Sequence, residues 1–187
     1  MFMDVTAVLE TLLHGNQLKR TPRTGWVQRG VPQAENVAAH SFGVVYVTLI
    51  LAPLVEEEID LGKALAMAAL HDLPEGLTSD IPTPAWVYLP PDIKTSVERQ
   101  AMLTMLADVA FAAPLLAWWE ELHTAVSPEA HLVHDADKLE MFIQAVMYEE
   151  QTGNRQLAEF WHIPHTFHYP QAQALYEELR RRRQAQS

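Results

Sequence analysis

The sequence predicts an all-α fold, and three observations predict it. Apolar residues recur at three- and four-residue spacing along most of the chain. No stretch couples strict alternation to a hairpin turn. Asp and Ser caps, with Gly and Pro, punctuate the periodic segments at helical lengths. A chain of 187 residues, 49% apolar and 20% charged, fits one domain with a full core. No repeat or linker divides it, so residues 1–187 read as a single compact helical bundle.

Val5, Val8, Leu9, Leu12 and Leu13 form the stripe of a first helix, which Gly15 stops. Residues 16–33, rich in Gly, Pro, Thr and Arg, read as a loop. A second helix runs from about Glu35 to Leu51. Its β-branched centre, Val44 to Ile50, also reads as a buried strand, but the Ala-rich approach and total length favour the helix. Asp60 caps a third helix from Leu61 to His71. Pro74, Gly76, Pro82, Pro84, Pro90 and Pro91 then fill a long irregular segment, a kind that often forms functional loops.

A fourth helix covers residues 92–111, and a shorter one begins at Pro114 and carries Trp118 and Trp119. Ser127-Pro128, a cap followed by proline at the first helical position, opens a long helix that ends at Gly153. A short helix follows Asn154. The last covers residues 169–183, where Arg180 to Arg183 complement the terminal dipole rather than form a nucleic-acid arm.

Composition narrows the function. The absence of cysteine excludes disulfides, thiolate metal sites and a cysteine nucleophile. A formal net charge of −11 and a pI of about 5.2 argue against nucleic-acid or anionic-membrane partners. They leave room for a small phosphorylated substrate, since a bound dication dominates its local field. The apolar run from Phe42 to Val55 is short for a bilayer and contains Pro53, and the N-terminus has no basic segment before its apolar stretch. The expectation is a cytoplasmic protein.

Any metal must then be held by His and carboxylate, and the chain has nine histidines. His71-Asp72 falls where the third helix gives way to a Pro/Gly loop. His40 lies within the second helix, in Val37-Ala38-Ala39-His40-Ser41. Asp137 lies inside the long helix, close to apolar positions. An ionised carboxylate there is costly unless paired or metal-bound, and neighbouring Lys138 is a poor partner because i,i+1 residues do not share a helix face. His40, His71, Asp72 and Asp137 together offer four N/O donors from three helices to one divalent ion: Mn, Co, Zn, Fe or Ni.

The motifs around these residues resemble a family. His40, the His71-Asp72 doublet and Asp137, in this order, look like the HD-domain metal-dependent phosphohydrolases. Thr24-Gly25-Trp26-Val27-Gln28-Arg29-Gly30-Val31, then Glu35-Asn36-Val37-Ala38-Ala39-His40-Ser41, resembles the opening of the HD-domain 5′-deoxynucleotidases. The stretch from His71 to Pro84 and the run Asp137-Lys138-Leu139-Glu140 are similar to two further motifs of that family. The resemblance covers residues 9–153, with residues 154–187 as a C-terminal helical extension.

The resemblance implies that His40, His71, Asp72 and Asp137 are metal ligands and Glu75 the catalytic carboxylate. It implies that Asp80 lies against the sugar, disfavouring a ribose 2′-hydroxyl, and that Trp26 lines the substrate pocket. Bacterial members place arginine directly before that tryptophan, where this chain has Gly25; Arg23-Thr24-Gly25-Trp26 resembles the eukaryotic arrangement. Arg23, Arg29 or Lys19 would hold phosphate, and the Pro-rich segment 81–91 would cover the site. A nucleoside monophosphate is the implied substrate. Family members are often homodimers, and Trp118-Trp119 offers an apolar pair for such a contact as well as for the core.

Other readings stay open: another phosphoester substrate (a triphosphate, a cyclic nucleotide or a non-nucleotide monoester), a binding protein without turnover, or a di-iron oxygenase. The last needs extra histidines near the doublet, and residues 73–84 contain none. His162, His165 and His168 repeat at three-residue spacing, but Pro164 and Pro170 break the helix that would align them. His131 and His134, one turn apart, suit surface or packing positions.

Overall fold

Side-chain caps start the principal helices. In the computed structural model, which describes residues 4–82, 85, 88–90 and 92–186, Asp4 accepts the Thr6 and Ala7 N–H groups and opens α1 (Val5–Asn16). The expected loop 16–33 is more structured than its composition suggests. It holds a 3-10 turn (Gln17–Arg20) and a short helix, α2 (Thr24–Gln28). It also pairs with the entry to the next helix: Val37 N–H donates to Thr21 O at 2.8 Å and Arg23 N–H to Glu35 O at 3.0 Å. Those bonds satisfy backbone groups that a coil would leave to water.

Asn36 accepts Ala39 N–H at 2.9 Å and caps α3 (Val37–Leu51). The β-branched run 44–50 is helical. Val37, His40, Val44, Thr48 and Leu51 are buried on it, and a helix satisfies its own backbone where no strand partner exists. Extended to Leu54, this segment is 18 residues long and apolar enough to cross a membrane by length and composition, longer in that sense than the sequence suggested. Here α3 packs on α8 and α4 (below), with His40 inside the bundle.

Asp60 caps α4 (Leu61–Leu70) through Lys63 N–H at 3.0 Å. α5 (Glu75–Thr78) follows, then α6 (Ile93–Met105). α6 ends six residues earlier than its apolar pattern predicts; turns follow, with Asp108 at φ +64°. α7 (Ala112–Thr124) begins two residues before Pro114, which is tolerated because first-turn N–H groups have no intrahelical acceptor. Ser127 caps α8 (Pro128–Thr152), and Gly153 closes it at φ +64°, a conformation glycine adopts without strain. A 3-10 segment (Arg155–Trp161) and α9 (Pro170–Gln186) complete the chain.

The centre of the bundle is α3, α4 and α8, with α9 and the 155–161 segment packed on α8. α3 and α8 run antiparallel: Glu35 N–H, before α3, meets the Tyr148 hydroxyl, and Asp60 N–H, after it, meets Glu129. Trp26, Val44, Met67, Leu132, Phe142 and Tyr176 share the main core, so α9 belongs to it. Trp119 is buried in a second cluster with Met102, Leu106 and Val109. Trp118 is half-buried against the main core, so both tryptophans contribute to packing.

Candidate metal centre

Two central elements bring His40, His71 and Asp72 within 4.8 Å of one another, and a third sets Asp137 against His40. His40 lies one turn into α3 and is fully buried. His71 caps the C-terminus of α4, and Asp72 follows in the turn. Asp137 projects from α8, antiparallel to α3. His40 Nε2 lies 3.1 Å from Asp137 Oδ1, 3.3 Å from His71 Nε2 and 3.7 Å from Asp72 Oδ2. His71 Nε2 lies 3.2 Å from Asp72 Oδ2.

These separations test the fit of an ion. Two donors bound at about 2.0–2.2 Å, at angles of about 90–110°, sit roughly 3.0–3.4 Å apart. Three of the four distances fall in that interval. The hydrogen bonds point the same way. His71 Nδ1 faces Ala68 O at 2.8 Å, an acceptor only, and His40 Nδ1 faces Glu140 Oε2 at 2.6 Å. With both Nδ1 atoms donating, two Nε2 lone pairs converge, an arrangement that a cation between them relieves. His40, His71 and Asp72 thus form a cluster that could hold a metal.

Without a metal the cluster already favours positive charge. Burial alone would lower the His40 pKa, but the hydrogen bonds its ring donates to Asp137 and Glu140 outweigh it and push it up to about 10. Burial would raise Asp72, yet His71 and Arg23 hold it well below the usual carboxylate range. Asp137 is also low, with Lys138 and His40 overcoming its burial. Lys138 Nζ lies 3.2 Å from Asp137 Oδ2, contrary to the expectation that adjacent residues cannot meet; the long lysine stem folds back across the helix surface.

A cavity of about 570 Å³ adjoins this cluster, lined by Arg23, Trp26, Arg29, Asp72, Glu75, Asp80 and Asp137 among others. Arg23 Nη1 donates to Asp72 Oδ2 at 3.2 Å. Glu75 opens α5, is 5% exposed, and its Oε2 has no hydrogen-bond partner. Burial, then Asp72 and Asp80, pushes the Glu75 carboxyl up to about 9. Asp80 Oδ2 accepts Thr24 N–H at 2.7 Å and its carbonyl accepts the Thr24 hydroxyl at 2.6 Å, joining α2 to the loop after α5.

Two further residues expected at the substrate, Trp26 and Arg29, line this cavity and also make contacts of their own. Trp26 is 2% exposed, its indole N–H on Glu35 Oε1 at 2.9 Å and its ring against Tyr148 and Phe160. Arg29 bonds Gly25 O at 3.0 Å, pairs with Glu159 at 3.1 Å and lies 4.4 Å over the Phe160 ring. Lys19 does not line the cavity among the described residues. Sequence reasoning missed Lys94, Lys138, Met141, Phe160 and Ile163, which also line it. The last two come from the C-terminal segment, and no local pattern announces that return. Of the Pro-rich cover 81–91, Ile81 and Pro82 line the cavity, and residues 83, 84, 86, 87 and 91 lie outside the described residues.

The other histidines singled out in the sequence lie away from this cluster. His131 stacks on His168 at 3.8 Å, His165 packs against Phe167, His134 bonds Leu122 O at 2.9 Å and His162 is exposed.

Fold and donor set define a helical protein with a histidine–aspartate centre. The HD domain family matches residues 15–176, and the chain belongs to that family. It is 34% identical over 169 residues to 5′-deoxynucleotidase HDDC2 of Danio rerio, covering 89% of this chain and 83% of the relative. It is 33% identical to 5′-deoxynucleotidase HDDC2 of Homo sapiens, over 77% of this chain and 69% of that one. A conserved hypothetical protein from Pyrococcus furiosus shares the fold at TM-score 0.72 and 39% identity, over 82% of this chain and 85% of that one.

Proposed function

We propose that this chain is a divalent-metal-dependent 5′-nucleotidase that removes phosphate from nucleoside 5′-monophosphates, with a preference for deoxyribose. The observation that carries this reading is the cluster of His40, His71 and Asp72, with Asp137 against His40, behind a cavity lined by Asp72, Asp137, Arg23 and Glu75. The names of its relatives point to the same substrate class.

The four side chains would hold one cation, which supplies neutralisation of phosphoryl oxygens and acidification of water toward a pKa of about 7. Arg23, beside Asp72, takes phosphate oxygens with a planar guanidinium suited to bidentate contact. Glu75, buried and holding its proton at neutral pH, donates that proton to the departing 5′-oxygen. Asp80 lies on the sugar side with its Oδ2 anchored on Thr24. Arg29 and Trp26 form part of the cavity wall on the substrate side.

The test is phosphate release by metal-stripped protein supplied with Mn²⁺ or Co²⁺, across nucleoside mono-, di- and triphosphates. Release from dAMP or dTMP, and little from the triphosphates, is expected. No release from any monophosphate with any metal overturns the reading.

A further inference from the structure

Glu140 is buried on α8 three residues past Asp137, so the two carboxylates share a helix face. Asp137 meets His40 at Nε2, and Glu140 meets the same ring at Nδ1, 2.6 Å away. Glu35, His40 and Glu140 also place three donor atoms within 4.8 Å, which raises the question of a second ion. The His40–Glu140 distance answers it. Two ligands of one ion sit roughly 3.0–3.4 Å apart; 2.6 Å is a charge-assisted hydrogen bond.

The opposite wall has been cleared for this carboxylate. Gly43 lies three residues after His40 in the middle of α3. A Cβ there would meet Glu140 Oε1 at 2.6 Å and Cγ at 2.8 Å. Glycine inside a helix costs about 1 kcal/mol relative to alanine. No positive φ requires it at this position, so space is the reason.

We propose that Glu140 is a positioning residue for the metal centre and that Gly43 exists to seat it. Glu140 accepts the His40 Nδ1–H, orients the ring and leaves the Nε2 lone pair directed at the cation. Its charge makes that nitrogen a stronger donor. The inference rests on the reading of His40 as a metal ligand.

The experiment is Mn²⁺ affinity by competition with a fluorescent chelator, on wild type, Glu140→Ala, Glu140→Gln, Gly43→Ala and the Gly43→Ala/Glu140→Ala double variant. Thermal melts of the metal-free proteins run alongside. Glu140→Ala is expected to weaken Mn²⁺ binding about 10- to 100-fold. Glu140→Gln, which keeps an acceptor but no charge, falls between it and wild type, and serves if the alanine variant does not fold. Gly43→Ala weakens binding although alanine favours the helix. The double variant binds no worse than Glu140→Ala alone, because the clash has gone. In ¹⁵N-histidine spectra of the Zn²⁺-loaded protein, His40 Nδ1 gives the signal of a protonated, strongly hydrogen-bonded nitrogen in wild type, and that signal shifts in Glu140→Ala. Affinities of the Glu140 variants within twofold of wild type overturn the proposal, as does a double variant whose loss is the product of the single losses. A wild type that binds no Mn²⁺ at all instead overturns the reading of His40 as a ligand.

Discussion

His40 and His71 point their Nε2 atoms at each other across 3.3 Å, each ring having its Nδ1 opposite an acceptor. Without a metal the neighbouring carboxylates hold a proton on His40; a divalent ion would take that proton's place, with the two Nε2 atoms as half of its coordination sphere. Metal binding is therefore coupled to folding, since the unfolded chain has no such arrangement.

That coupling predicts a metal-dependent melting temperature. At a free Mn²⁺ concentration of 100 Kd the folded state gains about 2.7 kcal/mol, which raises Tm by roughly 5–11 °C for a domain of this size. Differential scanning fluorimetry with and without Mn²⁺ measures it. Asp137→Ala is expected to erase the increment; an Asp137→Ala protein that keeps it removes Asp137 from the ligand set.

Glu75 sits apart from the donor atoms of the cluster but on the same cavity, with Oε2 unbonded. Glu75→Gln should lower kcat by about 10²–10⁴ while Mn²⁺ affinity stays within a few-fold of wild type. Single-turnover kinetics and chelator competition separate the two effects. Full activity in this variant excludes Glu75 from proton transfer.

Asp80 bonds Thr24 and is proposed to face the sugar, and two substitutions separate these roles. Asp80→Asn retains an acceptor for Thr24 N–H, whereas Asp80→Ala loses the 2.7 Å bond. Asp80→Asn is expected to narrow the preference for dAMP over AMP, read as the ratio of their kcat/KM values, with little change in Tm. Asp80→Ala should add a stability loss of about 1–3 kcal/mol. An unchanged ratio in both variants rules out the sugar-side role.

Glu129 supplies a prediction away from the site. It accepts Asp60 N–H at 2.9 Å and pairs with Lys63 at 3.3 Å, and these contacts overcome its burial to hold its pKa below the usual carboxylate value. A depressed folded-state pKa contributes stability above the unfolded value of about 4.3. That contribution fades as pH falls through the folded value. Glu129→Gln should therefore be less stable than wild type by about 1–3 kcal/mol at pH 7, and the gap should narrow as pH falls below the ordinary carboxylate range. Urea melts at neutral pH and below that range check it; a gap independent of pH assigns the loss to shape rather than charge.

Much of the candidate centre was legible because its signals are local. Asp60, Ser127-Pro128 and Gly153 mark helix ends by backbone chemistry that needs no partner. The His71-Asp72 doublet, with His40 and Asp137 in order, carries the family resemblance in a few residues. Contacts that depend on side-chain direction were not legible. Lys138 reaching Asp137, Arg29 turning to Glu159 and Phe160, and Trp26 withdrawing into the core each follow from a neighbour distant in sequence or from a rotamer choice.

By itself the sequence determined that the chain is helical, where its long helices begin and end, and which residue types are available to a metal. Those properties follow from backbone hydrogen bonding, capping and composition, which act over a few residues. Only the tertiary structure decided that α3 and α8 run antiparallel with His40 between Asp137 and Glu140, and that Gly43 leaves room for a carboxylate. The reason is packing: side chains 100 residues apart acquire a distance, and so a chemistry, only when the helices that carry them are pressed together.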